Sequence, residues 1–180
     1  LNRYDDARVT QLYTDLLERL NTVPGARGVA MSQPALLSGS VNSTNFYVQG
    51  RSYPSGRPQP GDDSRSINRL VISPNFFDVM GISIKLGRAL TDRDDGKAPK
   101  VAVINEALAA QWLDGLDPIG SRLLVDDNDG SPRPVEIIGV VGNVQQIALD
   151  GKEPTWDLYV TYAQILAHPV TRKLRTFVRR

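Results

Sequence analysis

Between residues 5 and 23 the apolar side chains fall at Val9, Leu12, Tyr13, Leu16, Leu17, Leu20 and Val23. Gaps of three and four residues put them on one side of a helix, so the pattern predicts an amphipathic helix over this stretch. Asp5 or Asp6 caps its start, where an acidic side chain also suits the helix dipole. Pro24-Gly25 stops it. Beyond it the period shortens. Gly28–Gln33, Asn45–Val48, Asn68–Ile72, Lys100–Ile104, Ser121–Val125, Trp156–Val160 and Leu174–Val178 are short apolar runs that read as strands. Ile82, Ile84 and Leu86 alternate, as a half-buried strand requires. Val135–Val141 is the most apolar run and is expected to be central, with both faces buried.

Two shorter helices are predicted between strands. Ser73-Pro74 offers an N-cap and a favoured first position, and Gly81 a left-handed stop, around Asn75–Met80. Asn105 caps a second helix that runs to about Leu113, with Leu108, Ala109, Trp112 and Leu113 on its apolar side. Polar and turn-forming residues separate the elements. Ser38–Asn45 and Thr91–Ala98 are loops, and Arg51–Ser66 is rich in Pro, Gly, Ser and Asp. Asp117-Pro118-Ile119-Gly120 is a turn, and Asp126–Arg133 a hairpin tip. About nine strands interleave with three helices, which makes the fold mixed α/β with short crossovers. A strand–helix–strand unit occurs around Ile72–Leu86 and again around Val101–Val125.

The 180 residues suit one domain or two small intertwined ones. A net charge of +1 gives no strong pull toward nucleic acid or an anionic surface. Arg172, Lys173, Arg175, Arg179 and Arg180 close the chain, either as a solvated strand face or beside lipid headgroups. There is no cysteine, which removes disulfides, thiolate zinc sites and a cysteine nucleophile. No run reaches the roughly 18 apolar residues of a membrane span. The chain opens at Leu1-Asn2-Arg3 without a starting Met or signal pattern, and is expected to come from a longer protein.

Candidate chemistry is sparse. The single histidine, His168, has no acids or thiols at ligand spacing around it. Asp126, Asp127, Asn128, Asp129 and Gly130 faintly resemble a calcium loop, with Glu136 six residues after the glycine. That glutamate lies in an apolar strand, and Pro132 and Pro134 stiffen the chain before it, so a hairpin tip is expected instead. Asp92, Asp94 and Asp95 cluster near Thr91. Gly139 and Gly142 lack the Lys-Ser/Thr pair and the following helix of a phosphate loop. No GxSxG elbow occurs. At least one of Phe76 and Phe77 should pack inward. No catalytic, metal or cofactor residues are assigned, and no enzyme activity or nucleic-acid partner is expected.

Five motifs in order carry a family resemblance. Val71-Ile72-Ser73-Pro74-Asn75-Phe76-Phe77-Asp78-Val79-Met80-Gly81-Ile82 resembles the V-S-x-x-Y/F-F-x-V-M-G-I signature of the MacB-like periplasmic core domain of FtsX-like ABC transporter permeases. Gly87-Arg88-Ala89-Leu90-Thr91-Asp92-Arg93-Asp94 is similar to its G-R-x-F-T-x-x-D, and Val101–Ala109 to its V-A-V-I-N-E-A-L-A. Asp117–Leu123 is similar to D-P-I-G-K-R-L, and Ile137–Val144 to I-V-G-V-V-G-D-V. Leu90 and Ser121 depart from the pattern at packing and turn positions. Locally these motifs read as fold-building, with Arg88 placed to pair with Asp92 or Asp94.

The resemblance implies a domain inserted between two transmembrane helices of a permease in the bacterial inner membrane, on its periplasmic side. It implies two lobes. A porter-like βαβ lobe would comprise residues 5–92 and 170–180, and an inserted, smaller, sabre-like lobe residues 93–169. Both ends would sit near the membrane, with the opening helix and last strand as connectors. The function implied is mechanical: to pass conformational change from the membrane helices and an ATP-binding cassette, indirectly, to a substrate or envelope partner in efflux or export. A periplasmic adaptor or second permease copy is a further partner. The alternative is a passive extracytoplasmic module that binds a ligand or lipid. The chain itself contains nothing like a nucleotide-binding cassette.

Overall fold

A computed structural model describes residues 6–50, 66–126, 131–144, 155–165 and 175–179. The elements are α1 (Asp6–Asn21), β1 (Gly28–Gln33), β2 (Ser43–Val48), β3 (Ser66–Ile72), α2 (Phe76–Met80), β4 (Ile84–Gly87) and β5 (Val101–Asn105). They continue as α3 (Glu106–Trp112), β6 (Arg122–Asp126), β7 (Pro132–Val141), β8 (Asp157–Thr161), α4 (Tyr162–Ile165) and β9 (Arg175–Arg179). The mixed α/β expectation holds, and α4, a single turn after β8, is the element the pattern missed.

All nine strands join one sheet, in the order β2-β6-β7-β5-β8-β3-β1-β9, with β4 added on β7. β3 runs parallel to β8 and β5 parallel to β7, while the other pairs are antiparallel. β2 is shared. Its first half, Ser43–Asn45, pairs with β3, and its second half, Phe46–Val48, pairs with β6. That double use closes β2, β6, β7, β5, β8 and β3 into a ring of hydrogen-bonded strands. Strands on either side of residue 92 are therefore direct neighbours, in the β2–β6 and β3–β8 pairs.

Alternation along the strands divides the core between two faces. One cluster takes Phe46, Ile67, Ile104, Leu123, Ile137 and Leu158, so every ring strand contributes and this is the inner face. Leu108 and Leu113 of the α3 region pack into it, with Tyr13 and Leu17 of α1 at its margin. The other cluster holds Leu70, Ile72, Val103, Val141 and Tyr159 against Phe76 and Phe77 of α2. Both phenylalanines are buried, and Tyr159 meets Phe77 edge-on at 5.0 Å between ring centroids.

Several local expectations change in three dimensions. Ser73 does not cap α2. Asn75 occupies the N-cap, and the Ser73 hydroxyl accepts from the Met31 N–H (2.9 Å) and donates to Asn75 Oδ1 (2.9 Å). Asn75 in turn donates to the Val29 carbonyl (2.9 Å), so the pair fastens α2 to β1. Gly81 does end α2 in the left-handed region, at φ 68°. In β4 an irregularity between Ile84 and Leu86 breaks the alternation, and Leu86 ends half exposed. β7 is buried only over Ile137–Val141; its start, Pro132–Pro134, projects with β6 as the hairpin. The α1 stripe is wider than its seat, because Tyr13 and Leu17 pack on the core while Leu12, Leu16 and Val23 stay exposed.

Two glycines permit the β4–β7 corner. The Arg88 N–H donates to the Ile138 carbonyl at 2.9 Å. A Cβ on Gly87, which sits at φ 70°, would run into the Ile138 carbonyl oxygen, and one on Gly139 into the Arg88 carbonyl oxygen. Gly87→Ala and Gly139→Ala are expected to cost about 2–4 kcal/mol each in urea unfolding, since backbone must move. Gly115→Ala, at φ 77° in open space, should cost only about 1–2 kcal/mol.

Candidate functional site

Three features of the fold combine polar chemistry with burial. The first is the corner after β4. Arg88 meets Asp94 in a two-pronged ion pair, Nη1 to Oδ2 and Nη2 to Oδ1, both at 2.8 Å. The Thr91 N–H (2.8 Å) and hydroxyl (3.0 Å) also donate to Asp94 Oδ2, and the Thr161 hydroxyl donates to the Asp94 carbonyl (2.8 Å). Of the two partners expected for Arg88, the structure selects Asp94; Asp92 is exposed. The guanidinium hydrogen bonds hold the Asp94 carboxyl below the usual carboxylate range, against burial, with Thr91 adding to the effect. Asp95 caps the following turn by accepting from the Lys97 and Ala98 N–H groups.

The second feature joins β3, β5 and β8. Asp157, fully buried at the start of β8, accepts from Asn68 Nδ2 (3.1 Å), Asn105 Nδ2 (3.2 Å) and the Thr155 hydroxyl (2.9 and 3.1 Å). Asn105 performs the capping role expected of it, since its Oδ1 accepts from the Leu108 N–H at 3.1 Å. The same oxygen accepts from the Asp157 N–H (3.2 Å), so one side chain fixes both the start of α3 and the start of β8. Burial pushes the Asp157 carboxyl above the usual range, and hydrogen bonds from Asn68 and Thr155 act in the other direction.

The third feature is a cavity of about 60 Å³ on the inner face of the ring. Val101, Val125, Val135, Leu158 and Val160 supply aliphatic walls, and Ile165 of α4 adds to them. Arg69, Lys100, Arg133, Asp126 and Gln164 complete the lining. α4 is clipped over it by Gln164, whose Nε2 donates to the Pro99 carbonyl (3.0 Å) and whose Oε1 accepts from the Val101 N–H (3.2 Å). Lys100 Nζ donates to the Gln164 carbonyl at 2.6 Å. At another part of the inner face Trp112 stacks edge-on between Phe46 and Trp156, each at 5.4 Å.

His168, the acidic tip 127–130 and Arg172, Lys173 and Arg180 lie outside the described residues, and so do the side chains of Arg175 and Arg179. Glu136 stays in its strand and pairs with Arg122 at 3.5 Å. Gly139 serves close packing, as described above. Among the described residues no three His, Asp or Glu side chains converge as a metal site. Asp157, Asn68, Gln164 and Arg69 went unread. Their one signal was a polar residue inside, or directly after, an apolar run: Asn68 and Arg69 within Asn68–Ile72, Asp157 within Trp156–Val160.

This sheet, with helices on its faces and buried polar joints, defines a mixed α/β module. The crystal structure of the periplasmic region of MacB from Actinobacillus actinomycetemcomitans superposes with a TM-score of 0.60 at 21% identity, over 92% of this chain and 63% of that one. The extracellular domain of the noncanonic ABC-type transporter YknZ from Gram-positive bacteria superposes with a TM-score of 0.55 at 20% identity, over 85% of this chain and 64% of that one. In sequence, the macrolide export ATP-binding/permease protein MacB of Aggregatibacter actinomycetemcomitans is 30% identical over 101 residues, 56% of this chain. The chain spans only 15% of that relative's length. Residues 5–178 match the MacB-like periplasmic core domain, and the chain belongs to that family. Among the described residues no helix is long and apolar enough to cross a membrane.

The two buried carboxyls give opposite pH dependences. Asp157 holds its proton more tightly folded than unfolded, so its contribution is fully present below the unfolded value of about 3.9 and is lost as pH rises through its raised folded value. Asp94 contributes above about 3.9 and loses that contribution as pH falls through its lowered folded value. Melting temperatures measured between about pH 7 and pH 2 should show Asp157→Asn flattening the gain on mild acidification. Asp94→Asn should flatten the acid loss and cost about 1–2 kcal/mol at neutral pH, a modest figure because Arg88 is half exposed.

Proposed function

We propose that this domain is the non-catalytic extracytoplasmic part of an ABC transporter permease of the bacterial inner membrane and transmits conformational change in efflux or export. One observation carries the reading. α1 and β9 both rest on β1: α1 packs along it, and β9 pairs with it over five residues, Gly28–Ser32 against Arg175–Arg179. β1 pairs with β3, a member of the ring. A displacement of β9 thus reaches the ring through one hydrogen-bonded strand, and a displacement of α1 reaches it through that strand and through Tyr13 and Leu17, which pack on the inner core.

In this mechanism ATP-driven closure of a cassette moves the transmembrane helices of the same permease. α1 and β9 pass the motion to the sheet, and the domain changes its contact with a substrate, a periplasmic adaptor or a second permease copy. The stretches 5–92 with 170–180, porter-like, and 93–169, sabre-like, would act together through the β2–β6 and β3–β8 pairs. Such transmission needs two packings of similar energy. The half-exposed apolar stripe of α1 suits this, because a helix seated mainly by Tyr13 and Leu17 shifts more easily than one buried on all sides.

The test uses a full-length permease carrying this domain, with spin labels on Gln11→Cys and Lys85→Cys. The distance distribution is expected to shift between the nucleotide-free and vanadate-trapped states. Tyr13→Ala combined with Leu17→Ala should abolish the shift. Identical distributions in both nucleotide states would refute transmission through α1.

A further inference from the structure

The described residues that line the cavity inside the ring include none from α1 or β1, and its chemistry is specific. Five of the six ring strands and α4 line it. Its walls are aliphatic, without an aromatic ring among the described lining residues. At about 60 Å³ it is smaller than the roughly 150 Å³ apolar cavities that hold benzene, and suits the end of a single aliphatic chain.

The rim fixes the sign of the other end. Among the described lining residues two cations that reach toward solvent, Lys100 and Arg133, stand against one carboxylate, Asp126, and a third cation, Arg69, is buried. Each of the three is also engaged elsewhere in the fold, so the balance of charge, and no idle donor, carries the inference. Arg133 is exposed and Lys100 half-buried, which sets positive charge near solvent while Val101, Val125, Leu158 and Val160 are buried. We infer that the mouth of the ring binds an aliphatic carboxylate, with the chain end among Val125, Val135, Leu158 and Val160 and the carboxylate at the Lys100–Arg133 side.

Binding to this site does not depend on the transmission role and is measured on the folded domain alone. Octanoate, octanol and octylamine, equal in chain length, are titrated separately against 15N-labelled protein. Octanoate should give saturating shifts at β6, β7 and α4 at about millimolar concentration, and bind at least tenfold more tightly than either of the others. Arg133→Glu, at an exposed position, should weaken octanoate at least tenfold while leaving the melting temperature within a few degrees. Ile165→Trp should block the cavity, with the spectrum of the unliganded protein reporting that the fold is kept. Octanol binding as tightly as octanoate, octylamine binding more tightly, or no saturable shift with octanoate would each overturn the assignment.

Discussion

The structure depends on how β2 divides its hydrogen bonds. A strand edge left open exposes a row of N–H and C=O groups that must find partners or water. β2 covers two such edges, giving three residues to β3 and three to β6. The Thr44 hydroxyl reinforces the crossing by donating to the Asp126 carbonyl at 2.7 Å. Without this division the six-strand path would be an open sheet. With it, Phe46 and Val48 face an enclosed interior, and Phe46 meets Trp112, which in turn meets Trp156.

Enclosure makes register important, because a slip of one residue would turn every inward side chain outward. Apolar packing alone discriminates weakly among Val, Ile and Leu. The buried polar joints discriminate strongly, since an unpaired buried carboxylate or amide is expensive. Asp157, Asn105, Asn68 and Thr155 satisfy one another only when β3, β5 and β8 align as observed. Arg88 and Asp94 do the same for the corner that leads from β4 to β5, and the Thr161 contact ties that corner to the end of β8. Arg88, Asp94 and Asn105 lie inside the family motifs, which gives those positions a structural role, while Thr155 and Asp157 lie outside them.

A closed ring with polar locks is stiff, and stiffness suits a body that transmits displacement. The softer parts are at its margins. α1 is seated along a narrow line, and α4 is a single turn held by Gln164 and Lys100 over an apolar cavity. In the proposed reading, motion imposed through β1 enters the ring at β3, and β3 and β8 also help to line the cavity.

The sequence by itself determined the elements. Period, caps and turn residues located α1, α2, α3 and the strands, because helix and strand patterns, the Asn105 cap and the Gly81 stop are local properties of a few consecutive residues. Only the tertiary structure decided which strands pair, which half of the α1 stripe is covered, that Ser73 fastens β1 instead of capping α2, and that Asp157 is the most deeply buried carboxyl among the described residues. Each of those depends on partners tens of residues away, such as Met31 for Ser73 and Asn68 for Asp157. A hydrogen bond is chosen by distance in space, and the order of residues along the chain does not contain that distance.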